Sequence, residues 1–332
     1  MRDIENACAS VREMCDTSFL TNASMLITGG TGLIGGMLAR SLLRLSESIK
    51  LQLPVRSVDR LPEELRNDAR VSAFEADLTE ALSVDGPIDY IVHAASPTAS
   101  KDLREHSDEC TAFMAKSMVS LLTLAKQKRI KKFMYISSME VYTGCRGSVT
   151  EDMRGDFDLG NPRSCYPVGK LTGESVSTEY AKNNGFSSVS VRLAQTFGEG
   201  IGKNENRVFA QFARSALAGE DIVLRTEGKS IGNYLHISDC MSALVLLLEK
   251  GEGIYNISGD NCHMPVRELA ELIASLLSGG RSRLTFDLAP AGSYPPDSAY
   301  ILDSSKLKAL GWAPKYSVSD MILSLGRDLK GE

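Results

Sequence analysis

Tyr166 and Lys170 stand four residues apart in Tyr166-Pro-Val-Gly-Lys170, at the start of a segment with helical character. On a helix that spacing brings both side chains to one face, where a phenol and an ammonium meet a single ligand. A free phenol titrates near about pH 10 and is a poor base at neutrality. A neighbouring ammonium and a cationic ring each favour the phenolate. Such a tyrosine takes a hydroxyl proton while hydride leaves the same carbon. The spacing is common, and a surface tyrosine beside a solvated lysine also satisfies it. Its context strengthens it: a glycine turn comes first, then a strand ending in Ser137-Ser138, then the pair.

The glycine turn is Thr28-Gly-Gly-Thr-Gly-Leu-Ile-Gly35. Gly29, Gly32 and Gly35 allow a tight turn, close approach of backbone to a pyrophosphate, and close packing of helix on strand. Leu33, Ile34 and Gly35 open the helix, and its free N–H groups suit an anion. An acid at the end of the second strand normally receives the adenosine ribose. Two residues compete for that place. Arg56 would meet a 2′-phosphate and favour NADP; Asp59 would meet a 2′-hydroxyl and favour NAD. The register of this strand leaves both open.

Positioning these groups takes an alternation of strands and helices. Met25–Thr28, a strand within 49–58, Val71–Ala76, Ile88–His93, Lys132–Ser137 and Ser188–Leu193 read as buried strands. Leu33–Leu45, Thr111–Gln127 and Tyr166–Lys182 read as helices. Apolar strands alternating with helices predict a doubly wound parallel sheet covered on both faces. Later come helices over Arg207–Ala218, Asp239–Glu249 with Asp239 as N-cap, and Pro265–Leu277, with a strand at Asp221–Leu224. Residues 1–23 form an amphipathic helical extension. Residues 24–198, joined by 236–257, form the dinucleotide-binding domain, and 199–235 with 258–332 form a smaller substrate lobe.

The chain has 332 residues and a formal net charge of -5, which disfavours nucleic acid as a partner. No apolar run is long enough to span a bilayer. Seven scattered cysteines, without metal-ligand spacing, suit reduced thiols and a cytoplasmic location. No metal site is expected.

Taken together, the residues resemble the extended short-chain dehydrogenase/reductase family, in its nucleotide-sugar epimerase/dehydratase branch. The glycine turn, Ala76-Asp-Leu78, His93-Ala-Ala-Ser96, Ser137-Ser-Met-Glu-Val-Tyr142, the Tyr166–Lys170 pair, Arg192-Leu-Ala-Gln-Thr-Phe-Gly198 and Tyr234-Leu-His-Ile-Ser-Asp239 carry the resemblance. It implies a Rossmann-type α/β fold with a smaller mixed α/β C-terminal lobe. It implies NAD, with NADP possible, as cofactor and a nucleotide-sugar as substrate. In that frame Asp77 and Leu78 contact the adenine, and Ala94, Ala95 and Ser96 line the dinucleotide, Ser96 also facing the sugar. Ser138 hydrogen-bonds the reacting hydroxyl, Tyr166 is the base, and Lys170 holds the nicotinamide ribose. Gln195, Arg207 and Asn233 face the substrate. The resemblance also implies a homodimer that pairs Thr111–Gln127 and Tyr166–Lys182 across a two-fold axis.

Glu140 bears on the reaction. Dehydratases of the branch carry Thr-Asp-Glu where this chain has Ser138-Met139-Glu140, and a thioether donates no proton to a leaving hydroxyl. Decarboxylases of UDP-glucuronate keep the Glu. Epimerases and decarboxylases usually place an Arg on the diphosphate where this chain has Gly232, which leaves Arg207 or Arg225 to compensate. The expectation is an epimerase acting by transient oxidation of a sugar hydroxyl, with Ser138, Tyr166, Lys170 and Glu140 at the centre. A decarboxylase or reductase is the alternative, and a non-catalytic dinucleotide-binding protein the more distant one.

Overall fold

The structure, a computed structural model, describes residues 1–202, 205–290 and 297–331. It opens with α1 (Arg2–Met14), β1 (Ser24–Thr28), α2 (Leu33–Leu45), β2 (Lys50–Val55), the single turn α3 (Glu63–Arg66), β3 (Val71–Glu75) and β4 (Tyr90–His93). The single turn α4 (Asp102–Glu105) leads into α5 (Ser107–Lys128), β5 (Lys132–Ser138), β6 (Arg146–Val149), α6 (Cys165–Asn184) and β7 (Ser187–Leu193). Then follow β8 (Gln195–Phe197), α7 (Val208–Ala218), β9 (Ile222–Leu224), β10 (Ile231–His236), α8 (Ile237–Lys250) and β11 (Gly253–Ile257). The last elements are β12 (His263–Pro265), α9 (Val266–Leu277), β13 (Leu284–Phe286), β14 (Ala299–Leu302), α10 (Ser305–Lys308) and α11 (Val318–Lys330).

Seven strands form one parallel sheet in the order β11-β7-β5-β4-β1-β2-β3. The chain winds outward through β2 and β3, then returns to the other side of β1 and winds the opposite way. The direction reverses between β1 and β4, and the crevice beyond their carboxyl ends is where such sheets take a ligand. Met25, Leu26, Ile27, Ile91, Val92, Phe133 and Met134 are almost fully buried, as strands covered on both faces require.

A second core belongs to the smaller lobe. Phe197 stacks on Phe209 at 4.5 Å, and Phe212, Leu269, Ile273, Met321 and Leu325 pack around them. β11, which follows α8, pairs with β7 at the edge of the large sheet. α1 lies against α2 and α8 and buries Ile4, Ala7, Cys8 and Val11. All seven cysteines are free. Among the described residues, no helix is long and apolar enough to cross a membrane.

Two local expectations change. α8 starts at Ile237, capped by His236, whose Nδ1 accepts the Ser238 N–H at 3.1 Å. Asp239 is therefore not the N-cap; it lies buried in the first turn, its carboxylate accepting the N–H groups of Lys315 and Tyr316. α5 begins four residues before the expected Thr111, with Asp108 and Glu109 in its first turn, where the helix dipole favours acids. β2 stops at Val55, which makes Arg56 the first residue beyond its carboxyl end.

Candidate active site

The sheet's carboxyl edge is held together at its centre by one buried histidine. Thr28 Oγ1 accepts the N–H groups of Ala94 and Ala95, both at 3.1 Å, so its own proton is left for His93 Nδ1 at 2.9 Å. That places the ring proton of His93 on Nε2, facing Ser117 Oγ at 3.3 Å, which in turn reaches the Met114 carbonyl. Burial pushes the His93 imidazole down to about 3, so it stays neutral and acts as a relay of hydrogen bonds. The relay ties β1, β4 and α5 at the switch point and fixes Ala94 and Ala95 beside the glycine turn.

Gly29 has φ of +74°, and a Cβ there would meet Ala95 N at 2.9 Å. A Cβ on Gly35 would meet Gly29 O at 2.5 Å. α2 has no side-chain cap at Gly32, so its first-turn N–H groups face the crevice without a side-chain partner. This is a backbone cradle with free donors at a helix N-terminus, which fits a pyrophosphate. Leu78 is buried nearby, while Asp77 is spent on its own turn, accepting Thr79 N and Oγ1 at 2.8 Å. Ser96 is half-buried and makes only a long contact, 3.5 Å, to the Pro97 carbonyl.

α6 carries the tyrosine–lysine pair and sits unusually close to its neighbours. A Cβ on Gly173 would fall 2.5 Å from the Tyr135 ring of β5, and one on Gly169 would fall 2.5 Å from Met114 of α5. Those two glycines let α6 press on β5, where Lys170 Nζ donates to the Ile136 carbonyl at 2.7 Å. Lys170 and Tyr166 are both buried, and Nζ lies 5.5 Å from the Tyr166 ring centre. Burial brings Lys170 down to about 7, against the opposing pull of Glu174 and Glu140. Burial and then the Glu140 charge push the Tyr166 phenol up, while a hydrogen bond from Ser138 and the cations Arg163 and Arg207 pull it back. A cationic ring docked here adds to the downward pull.

Ser138 ends β5, and its Oγ accepts the Glu140 N–H at 3.2 Å. Glu140 is gripped by Arg163, whose Nη2 lies 2.8 and 2.6 Å from the two carboxylate oxygens. Burial raises the Glu140 carboxyl, and Arg163 and Lys170 lower it. The same guanidinium stands over the Tyr166 ring at 5.3 Å, and its buried Nη1 has no hydrogen-bond partner among the described residues. Arg163 is a site residue that the sequence does not mark. Its only signal is a position one helical turn before Tyr166. Beneath, Arg192 and Glu174 form a buried ion pair at 2.8 Å, extended by Ser137 to Glu174 and by Arg192 to Tyr142.

The structure brings together Ser138, Glu140, Tyr166 and Lys170, with Ala94, Ala95, Gly29, Gly32, Leu33, Ile34 and Gly35 on the adjacent edge. It takes Asn233 elsewhere. That side chain is fully buried, and both of its amide groups are spent on β14: Nδ2 donates to the Tyr300 carbonyl at 3.0 Å, and Oδ1 accepts the Leu302 N–H at 2.9 Å. Gln195 is half-exposed at the start of β8. Arg207 stands at the N-cap position of α7 without a side-chain cap bond and pairs with Glu205 at 2.7 Å. Arg225 is held at the surface by Asp287. Asp59 points to Arg66 at 3.4 Å, and Arg56 stands exposed beyond β2. At Gly232 a side chain would overlap the Tyr234 phenol, whose buried hydroxyl has no partner among the described residues. Tyr234 thus fills the space an arginine there would need. Among the described residues no cluster of His, Cys, Asp or Glu could hold a metal.

The pattern of the NAD dependent epimerase/dehydratase family matches residues 25–258. UDP-glucuronic acid decarboxylase 6 of Arabidopsis thaliana is 26% identical over 319 residues, covering 94% of this chain and 90% of the relative. A dTDP-glucose 4,6-dehydratase of Actinoplanes sp. is 27% identical, covering 90% and 95%. In fold, the chain is similar to UDP-glucose 4-epimerase of Thermotoga maritima, with a TM-score of 0.79, 20% identity, and coverage of 93% and 99%. It is similar too to UDP-glucuronic acid 4-epimerase of Bacillus cereus, solved with UDP-glucuronic acid and NAD, with a TM-score of 0.78, 21% identity, and coverage of 93% and 99%.

Proposed function

The chain belongs to the NAD-dependent epimerase/dehydratase family, and from that premise we propose that it is a nucleotide-sugar epimerase. Its cofactor is a nicotinamide dinucleotide, held on the cradle of Gly29, Gly32 and Gly35 and the N–H groups of Leu33 and Ile34. When bound, it supplies the site with an acceptor and donor of hydride. Lys170 holds the ribose next to the nicotinamide. Ser138 and Tyr166 receive a sugar hydroxyl between them. Tyr166 takes its proton as the carbinol carbon is oxidised, and returns that proton when the turned-over ketone is reduced on its other face.

The observation that carries this reading is the state of Glu140. Its carboxylate is locked by Arg163, and its neighbour Met139 has no proton to give. Tyr166 with Ser138 is then the pair that handles protons, and one reversible proton transfer is all that epimerisation needs. A decarboxylase is the second reading, favoured by the retained Glu140 and by the relatives of that activity. The crowding of Gly232 by Tyr234 does not separate the two readings, since epimerases and decarboxylases of this branch alike usually have an arginine there.

The test is direct. Purified protein is incubated with UDP-, dTDP-, GDP- and CDP-sugars without added reductant, and the products are separated and weighed. A new isomer of unchanged mass is expected. Loss of carbon dioxide or of water would sink the epimerase reading in favour of the corresponding lyase.

A further inference from the structure

Arg56 occupies the place where sheets of this kind present an acid to the adenosine ribose. β1 runs into the glycine turn, and β2 lies beside it in the sheet. Because β2 stops at Val55, the next side chain stands on the rim of the cradle. The contact is close: a Cβ on Gly30 would come within 3.5 Å of both Leu53 of β2 and Leu61 just beyond it. An acid on that rim accepts the ribose 2′-hydroxyl; an arginine there accommodates a 2′-phosphate.

The surroundings leave the guanidinium free. Arg56 is exposed, and among the described residues it makes no hydrogen bond or ion pair. The acid closest in sequence, Asp59, lies one turn on, 94% exposed and paired with Arg66. Glu64 is taken by Arg40. Asp77, which feels the charge of Arg56, spends its carboxylate on Thr79. Arg60, in the turn with Asp59, adds a second cation that has no ion pair among the described residues. The rim therefore presents positive charge and a planar fork of N–H donors, with no carboxylate turned toward the ribose. That fork matches phosphate oxygens in charge and shape, whereas a 2′-hydroxyl offers it no charge to meet.

We propose that this cradle selects a dinucleotide with a 2′-phosphate, an NADP-type cofactor, and that Arg56 is the residue that reads it. The proposal rests on the dinucleotide reading of the glycine turn, and it departs from the neighbours solved with NAD.

Calorimetric titration of the full-length protein, stripped of carried-over nucleotide, tests it with four probes: NADP+, NAD+, adenosine 2′,5′-bisphosphate and 5′-AMP. NADP+ is expected to bind at least about tenfold tighter than NAD+, and the bisphosphate tighter than AMP by a similar factor. Arg56→Ala should erase both preferences, and Arg56→Asp should invert the first. Melting of each ligand-free variant reports that the fold is intact, since the side chain is exposed. Equal affinity of the wild-type protein for NAD+ and NADP+ overturns this proposal alone. A preference that survives Arg56→Ala overturns the assignment to Arg56. Binding of neither dinucleotide overturns both this proposal and the reading of the glycine turn.

Discussion

At the scale of single residues, burial places chemistry and stability in opposition at Lys170. In the ligand-free protein its ammonium titrates near 7, against 10.5 in an unfolded chain. Between those values the unfolded chain holds a proton that the folded chain lacks, so stability rises as pH climbs from about 7 toward about 10.5. Below pH 7 the penalty is fully present. Lys170→Met removes it. That variant should melt higher than the wild type at pH 7, by a gain on the order of 1–2 kcal/mol, and the gap should close by pH 10. A lower melting point at pH 7 would mean that the bond to Ile136 outweighs the buried charge. Tyr166→Phe makes the complementary case. It keeps the ring and its contacts with Arg163 and Lys170, so dinucleotide binding should persist while kcat falls about 100- to 10,000-fold. Turnover at the wild-type rate would remove Tyr166 from the mechanism. The pair was legible in the sequence because helical spacing fixes it. Arg163 and His93 were not legible as partners: Arg163 meets Glu140 across a loop, and the His93 relay joins three elements that no spacing rule connects.

At the scale of elements, α6 does its work by lying close to β5. Gly173→Ala pushes a methyl group into the Tyr135 ring and should cost about 1–3 kcal/mol as the helix backs away. The same shift draws Lys170 off the Ile136 carbonyl, so kcat should fall with stability. Gly185, in the left-handed region at the end of α6, has open space around it. Gly185→Ala should cost about 1 kcal/mol and leave kcat alone. If both variants kept wild-type kcat, close packing would not be what sets the site. The outer faces of α5 and α6 expose Val119 (62%) and Val176 (37%). We propose that these helices pair in a homodimer. Val119→Arg should then lower the mass seen by light scattering to that of one chain. Strand and helix existence was readable here because apolar periodicity is strong. Helix ends were less so: His236 took the cap expected of Asp239 because the Asp239 carboxylate was claimed by the backbone at Lys315 and Tyr316, a partner far along the chain.

At the scale of the whole molecule, the fold has separate hydrophobic cores, and the N-terminal helix is one of the elements that join them. Asp3 is almost fully buried. Its Oδ2 accepts the Glu199 N–H at 3.0 Å and the Ser324 hydroxyl at 2.5 Å, and lies 3.6 Å from His236 Nε2. Its backbone N–H donates to Glu199, and its carbonyl accepts from Ser238. One residue therefore binds the loop after β8, the start of α8, and α11 of the smaller lobe. The sequence showed that this helix is amphipathic, but Asp3, one of two acids in its first turn with Glu5, looks like ordinary capping chemistry. Asp3→Ala leaves several buried donors without an acceptor and should cost about 3 kcal/mol. Ser324→Ala alone should cost less, and the double variant should cost less than the sum, because both changes break one network. Strict additivity would show that Asp3 and Ser324 are not coupled. Since a dinucleotide that binds only the folded protein stabilises it, saturating dinucleotide should raise the melting point of Asp3→Ala above that of its ligand-free form. A melting point unmoved by ligand, in a variant that still binds it, would mean that Asp3 acts on a part of the fold that the crevice does not feel.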